Sequence, residues 1–317
     1  MKRDALSAFL RGLVISALPV AAAACCSDSS VETIQQVDAF AAEVADGGAL
    51  PGALCTSLCK PPLRETIKQV YGCHVVDATD AGITAIACDE HVGSCSTFPV
   101  AGGRPPLGLR PRRAVDARDP AGAFFLAMAH VEAAAVDGFV ELATALAVHG
   151  APASLVADAR NAARDEERHA RVAAAFARRH GAGALPPVEI DAVAAPSLET
   201  LAAANAREGC VLETYGAVVT QWQSRTAGDR AVRRAFVNIA RDELRHAELA
   251  FAVARWLHPQ LDLAARRRVR DAQRAAAAEL ARDLERPTDA RLVAALGLPD
   301  RDAARGLVAD LRARLWA

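Results

Sequence analysis

One short string occurs twice in this chain, and it is a string that can hold a metal. Arg164-Asp165-Glu166-Glu167-Arg168-His169-Ala170 returns 77 residues later as Arg241-Asp242-Glu243-Leu244-Arg245-His246-Ala247, identical at six of seven positions. Each copy contains Glu-x-x-His, and a lone glutamate precedes each, Glu132 by 34 residues and Glu208 by 35. Residues three apart on an α-helix share a face, so Glu166 projects with His169 and Glu243 with His246. The rest of each face is apolar. Glu132 lies in a row with Phe125, Met128, Phe139 and Leu142, and Glu208 in a row with Leu201, Ala204, Val211, Tyr215 and Val219. Asp137 and Glu213 are the rival acids, because they too are matched between the copies. Five residues along an α-helix is a rotation of about 140°, and Asp137 falls beside His130 and Glu141, so both rivals are expected to face outward.

The chemistry follows from the rows. A carboxylate without a partner is strongly disfavoured in an apolar interior, and four together repel one another until protonated or neutralised. Two divalent cations neutralise four carboxylates, while two imidazoles add nitrogen donors without adding charge. A single Glu-x-x-His is usually a surface pair beside an arginine. Two copies in apolar rows, each preceded by a lone glutamate in its own apolar row, point instead to a two-metal centre on Glu132, Glu166, His169, Glu208, Glu243 and His246. Oxygen and imidazole donors suit iron or manganese better than a thiolate-loving metal. Asp165 and Asp242, just before the paired glutamates, are placed to bond the imidazole of the opposite copy and so fix its tautomer. Pairing with neighbouring arginines is their other reading. Cys210, rotated off the Glu208 row, reads as a small packing residue.

Helices must position these groups. Asp119-Pro120 opens a helix over about 120–148, with Asp as cap and Pro at the first position. A second helix follows over about 153–179, a third from near Ser197 to about Ser224, and a fourth from Asp229 to about His258. The connections are short, long (181–196) and short, which is the pattern of two antiparallel hairpins joined by a crossover. The expected fold is therefore mainly α: a four-helix bundle over 119–258, a C-terminal helical extension over 259–317, and a Cys-rich N-terminal region with a Pro/Arg-rich linker over 25–118. Short strands are expected around His74–Val76 and Ile83–Cys88, after a Ser-containing tether at Ser27–Ser30.

Residues 1–24 read as a signal peptide outside the fold: Lys2 and Arg3, an apolar run from Gly12, and the small residues Ala22-Ala23-Ala24 before Cys25. Cleavage there would leave Cys25 as a lipidation site on a membrane-anchored protein; ordinary secretory cleavage is the alternative. Both export the chain to a bacterial cell envelope, and no other segment reads as a transmembrane helix. Five cysteines between Cys55 and Cys95 agree with an oxidising compartment. Cys55, Cys59, Cys73, Cys88 and Cys95 are disulfide candidates, one of them left over. A zinc site is the rival reading of that cluster. With 37 basic and 38 acidic residues, the chain lacks the basic excess of a nucleic-acid binder. The basic run Arg266–Arg270 reads as a solvated face.

The six-residue constellation resembles the ferritin-like di-iron carboxylate proteins, which include bacterioferritins, rubrerythrins and bacterial multicomponent monooxygenases. The resemblance covers about 120–258. It implies two iron ions (manganese as alternative), bridged by Glu166 and Glu243, with Glu132 and Glu208 as terminal ligands. It also implies that Tyr215 donates an electron or bonds a terminal ligand; a packed core aromatic is the competing reading, and the first copy has Phe139 there. The implied activity is an oxidoreductase of ferroxidase, peroxidase or oxygenase type. It would act on oxygen, peroxide, Fe(II) or an organic molecule, with no electron donor indicated. The alternatives are an iron-sequestering envelope protein without catalysis, and a structural lipoprotein whose metal site only braces the fold.

Overall fold

The computed structural model describes, with side chains, residues 6, 8–10, 12–13, 55, 58–59, 103–110, 119–185 and 187–316, together with the strands at 28–39, 66–79 and 82–93, where only part of the side chains is described. The chain divides into two compact units, Cys25–Ser96 and the remainder. It is mainly α.

The Cys25–Ser96 unit is a three-stranded antiparallel sheet. Strands β1 (Asp28–Ala39), β2 (Thr66–Thr79) and β3 (Gly82–Gly93) lie in the order β1-β3-β2. The serine-containing stretch expected to be a tether enters β1 at Asp28. Disulfides Cys55–Cys73 and Cys59–Cys88 tie the sheet to the preceding turn around a small buried cluster with Ile86. Such cross-links constrain the unfolded chain of a unit with little core. These bridges use the four cysteines as disulfides, not as zinc ligands; Cys95, like Cys25, lies outside the described residues.

In the other unit, α1 (Pro120–Val148) packs along α2 (Ala153–Arg179). After the crossover come α3 (Leu198–Ala204), a π-helical segment (Asn205–Glu213) and α4 (Thr214–Thr226), one continuous rod that packs along α5 (Arg230–Leu257), while α2 meets α5. Local chemistry sets the ends. The carboxylate of Asp119 accepts from Ala121 N, that of Asp229 from Ala231 N, and the hydroxyl of Ser197 from Thr200 N, each satisfying amides that a helix leaves unpaired. By length and composition α1 could cross a membrane, contrary to the sequence expectation, but most of it is buried inside this unit.

Both ends of the chain contribute to the core of the helical unit. The C-terminal helices α6 (Leu263–Asp283), α7 (Ala290–Leu296) and α8 (Arg301–Arg314) bury Leu292, Leu307, Leu311 and Trp316 in the same apolar cluster as Phe125, Tyr215 and Phe236. The amides of Gly228 and Asp229, in the turn before α5, donate to Ala294 and Ala295 carbonyls. The extension thus shares the core of the helical unit. At the other end, Leu6, Leu10 and Leu13 are buried in that cluster too. In the full-length chain, water drives apolar side chains such as these onto the nearest apolar surface.

Candidate metal centre

Glu132 on α1, Glu166 and His169 on α2, and Glu243 and His246 on α5 converge in the middle of the helical unit, each at most 4% exposed. The sixth residue there, and the fourth acid, is Glu213, 1% exposed, and not Glu208. The donor atoms fall into two sets. His169 Nδ1 lies 3.1 Å from Glu243 Oε1, 3.3 Å from Glu166 Oε2 and 3.9 Å from Glu132 Oε2. His246 Nδ1 lies 3.1 Å from Glu166 Oε1 and 3.8 Å from both Glu213 Oε2 and Glu243 Oε2. Glu166 and Glu243 therefore turn one oxygen toward each imidazole, whereas Glu132 and Glu213 each meet only one.

The donor set fits cations. Nδ1 of both histidines, both oxygens of Glu166, Glu213 and Glu243, and Oε2 of Glu132 are buried without a hydrogen-bond partner. Buried polar atoms are ordinarily satisfied, and so many orphans aimed at one another call for ions. Metal–ligand bonds of about 2.0–2.2 Å place donors of one ion roughly 3 Å apart, which the contacts of Glu166 with both imidazoles and of Glu243 with His169, at 3.1–3.3 Å, approach. With side chains alone to balance one another, protons take over that role. Burial, reinforced by neighbouring carboxylates, pushes Glu132 and Glu213 well above the usual carboxylate range. Glu166 is held low despite burial by Glu132 and by both imidazoles. Against the cost of burial, the surrounding carboxylates raise His169 strongly and raise His246 to about 10.

The other ring nitrogens are held across the two copies. His169 Nε2 is 3.2 Å from Asp242 Oδ2, and His246 Nε2 is 3.4 Å from Asp165 Oδ2. A proton on each Nε2 leaves Nδ1 as the donor to a metal. The arginines of the repeated strings join the same frame. Arg168 bonds Asp165 and lies 3.2 Å from Asp242; Arg245 bonds Asp242 at 2.7 Å and Asp165 at 3.0 Å. Both expected roles of the aspartates, imidazole partner and arginine partner, are thus present together.

Glu208 is corrected by the backbone. Asn205–Glu213 is π-helical, with hydrogen bonds from i to i+5. Five residues then make roughly one turn, not one turn and 140°, so Glu213 comes round to the side that α-geometry assigns to Glu208. Asp137, on the regular helix α1, is exposed as expected. Glu208 pairs instead with Arg207 at 3.1 Å. Tertiary contacts hold the wider spiral. Asn205 Nδ2 donates to Ala250 O at 2.9 Å, and the Trp316 indole donates to Cys210 O at 2.7 Å. A Cβ on Gly209 would sit 2.7 Å from Ala250 Cβ and 2.6 Å from Arg104 Nη2.

Arg104, from the stretch expected to be a linker, went unrecognised in the sequence. It is 5% exposed, donates from Nη2 to Asn205 Oδ1 at 2.7 Å, and has its guanidinium 5.8 Å from the Phe139 ring centre. Phe139 in turn packs tilted against His246, with ring centres 5.0 Å apart. Only its place in a Pro/Gly/Arg-rich segment was visible beforehand, which is a loop signal. Tyr215 is fully buried and its hydroxyl has no hydrogen-bond partner, so it bonds no ligand carboxylate; burial raises its pKa and keeps the phenol protonated. Cys210 is a buried thiol pushed up to about 12, as a packing residue would be.

Compared with protein-family models, curated proteins and solved structures, the chain has no match.

Proposed function

We propose that this protein is an exported, ferritin-like four-helix-bundle protein whose core carries a carboxylate-bridged pair of metal ions. The carrying observation is that Glu166 and Glu243 each present one unpaired, buried oxygen to each of two Nδ1 atoms. On this reading Glu132 and His169 would help hold one ion, Glu213 and His246 the other, and Glu166 and Glu243 would serve both. Two divalent cations would neutralise the four ligand carboxylates, while Glu208 pairs with Arg207 outside the centre. Carboxylate and imidazole donors favour iron, with manganese as the alternative. Bound iron would supply one-electron chemistry toward oxygen or peroxide, so the activity we assign is an oxidoreductase. This chain's own residues orient the ions, hold the imidazole tautomers through Asp165 and Asp242, and exclude water. Two disulfides support an oxidising compartment outside the cytosol.

The test is metal content followed by oxygen uptake. Full-length protein supplied with Fe(II) without air should hold two ions per chain and consume oxygen on exposure to it. Two ions without oxygen consumption would leave a sequestering or bracing protein. No bound metal would overturn the centre itself.

A further inference from the structure

Residues 103–110 form a strap laid over the helical unit beside the metal centre. The amide of Arg110 donates to Glu189 O and that of Asp191 to Gly108 O, both at 2.9 Å, so the strap pairs with the crossover. Its other end rests on α1, where a Cβ on Gly138 would meet Arg104 O at 1.9 Å. Only glycine admits the strap there.

Strap, crossover, α1 and α3 line a half-open cavity of about 620 Å³, within the range of small-molecule sites. Most of its wall is aliphatic, including Leu107, Leu142 and Leu201. Apart from Arg104, its polar groups are largely acceptors. Glu208 lies at the wall, and Glu141 accepts from Leu107 N at 2.9 Å. Thr144 has already given its proton to Val140 O. Among the described residues of the wall the cation is Arg104: its Nη2 donates to Asn205, its buried Nε has no hydrogen-bond partner, and it neighbours Glu213 within the metal centre and Glu208 outside it. It therefore stands between cavity and centre, with Phe139 and His246 directly behind it.

We propose that this cavity binds a mainly apolar organic molecule ending in a hydrogen-bond donor, an amine or hydroxyl, seated on Glu208, with Arg104 as the partition to the metal pair. As the substrate chamber of an oxidoreductase it rests on the metal reading above. As a binding site it does not, because none of its walls is a metal ligand.

The test is calorimetry of decylamine, decan-1-ol and decanoate against full-length protein, with and without metal. Decylamine and decan-1-ol should bind saturably, one per chain, and decanoate at least tenfold more weakly. Thr144→Trp, at an exposed position on the cavity wall, should weaken decylamine at least tenfold without changing metal content or melting temperature. Ala204→Phe fills the cavity from the opposite wall and should do the same. Glu208→Gln should reduce the preference for decylamine over decanoate by about tenfold. No saturable binding, equal binding of all three probes, or wild-type affinity in both filled variants would overturn the cavity site. Metal content measured on the same samples separates that failure from failure of the metal centre.

Discussion

The two helical hairpins carry matching strings but present their lone acids differently. In the first, α1 runs 29 residues as an unbroken α-helix, and Glu132 meets His169 while Asp137 faces water. In the second, the equivalent rod is interrupted by nine π-helical residues, and the later acid, Glu213, turns inward. The earlier acid, Glu208, is left beside the strap cavity. One repeated unit has therefore yielded two similar acid–imidazole sets, with Glu208 of the second hairpin turned toward the strap cavity. Arg104 is the residue that occupies the difference, reaching Asn205 at the start of the π-helical segment.

The sharpest way to break this comparison is to remove what the halves share. Glu166→Ala or Glu243→Ala should abolish both ions, since each carboxylate faces both imidazoles. Elemental analysis should fall from two ions per chain to near zero, and the melting temperature should lose its response to added metal. A ligand at 1,000 times its Kd contributes about 4 kcal/mol, so that response is large where it exists.

Next come the two acids that the halves do not share. Glu213→Gln should cost one ion of two, while Glu208→Gln should keep both. The reverse result would show that the third helix is α-helical in solution and restore the assignment from regular helical geometry.

A smaller effect concerns protons common to both halves. The imidazoles of His169 and His246 are raised, so their contribution to the metal-free fold is complete below about pH 6.5, the unfolded imidazole value. It is lost as pH rises through the folded values, about 10 for His246. Cations must displace these protons, so metal affinity should rise with pH between 6 and 8, by about tenfold per unit for each proton displaced. Chelator competition reads this directly, and an affinity independent of pH would contradict it.

Smaller again, Asp165→Asn and Asp242→Asn should each weaken metal binding by about 10–100-fold, the usual cost of losing a carboxylate behind a ligating histidine. Because Asp165 lies behind His246 and Asp242 behind His169, each change should loosen the ion of the opposite string. Metal titration with both variants tests that crossing. Asp137→Asn, exposed on α1, should change neither metal content nor stability.

Much of this was readable in the residues. Asp119-Pro120, Gly150, Gly181 and Asp229 punctuate helices whose observed limits fall within about two residues of those expected, because caps and breakers act locally. Disulfide partners were not readable, since five candidate cysteines with one left over allow about fifteen pairings, three for each choice of the odd one. Nor was β1, whose polar residues carry no alternating pattern to announce a strand. The strap was hidden for a similar reason: Gly103 to Arg110 has loop composition, and its burial depends on what it lies against.

The sequence by itself determined the repeat, the apolar rows and five of the six acids and histidines that the fold gathers, because in a regular helix spacing translates directly into direction. The tertiary structure alone decided for Glu213 over Glu208. Spacing becomes direction only once the hydrogen-bond ladder is known. Here Asn205 reaching Ala250, Trp316 reaching Cys210, and Arg104 seated against Gly209 accompany a ladder one residue wider than the α-helix.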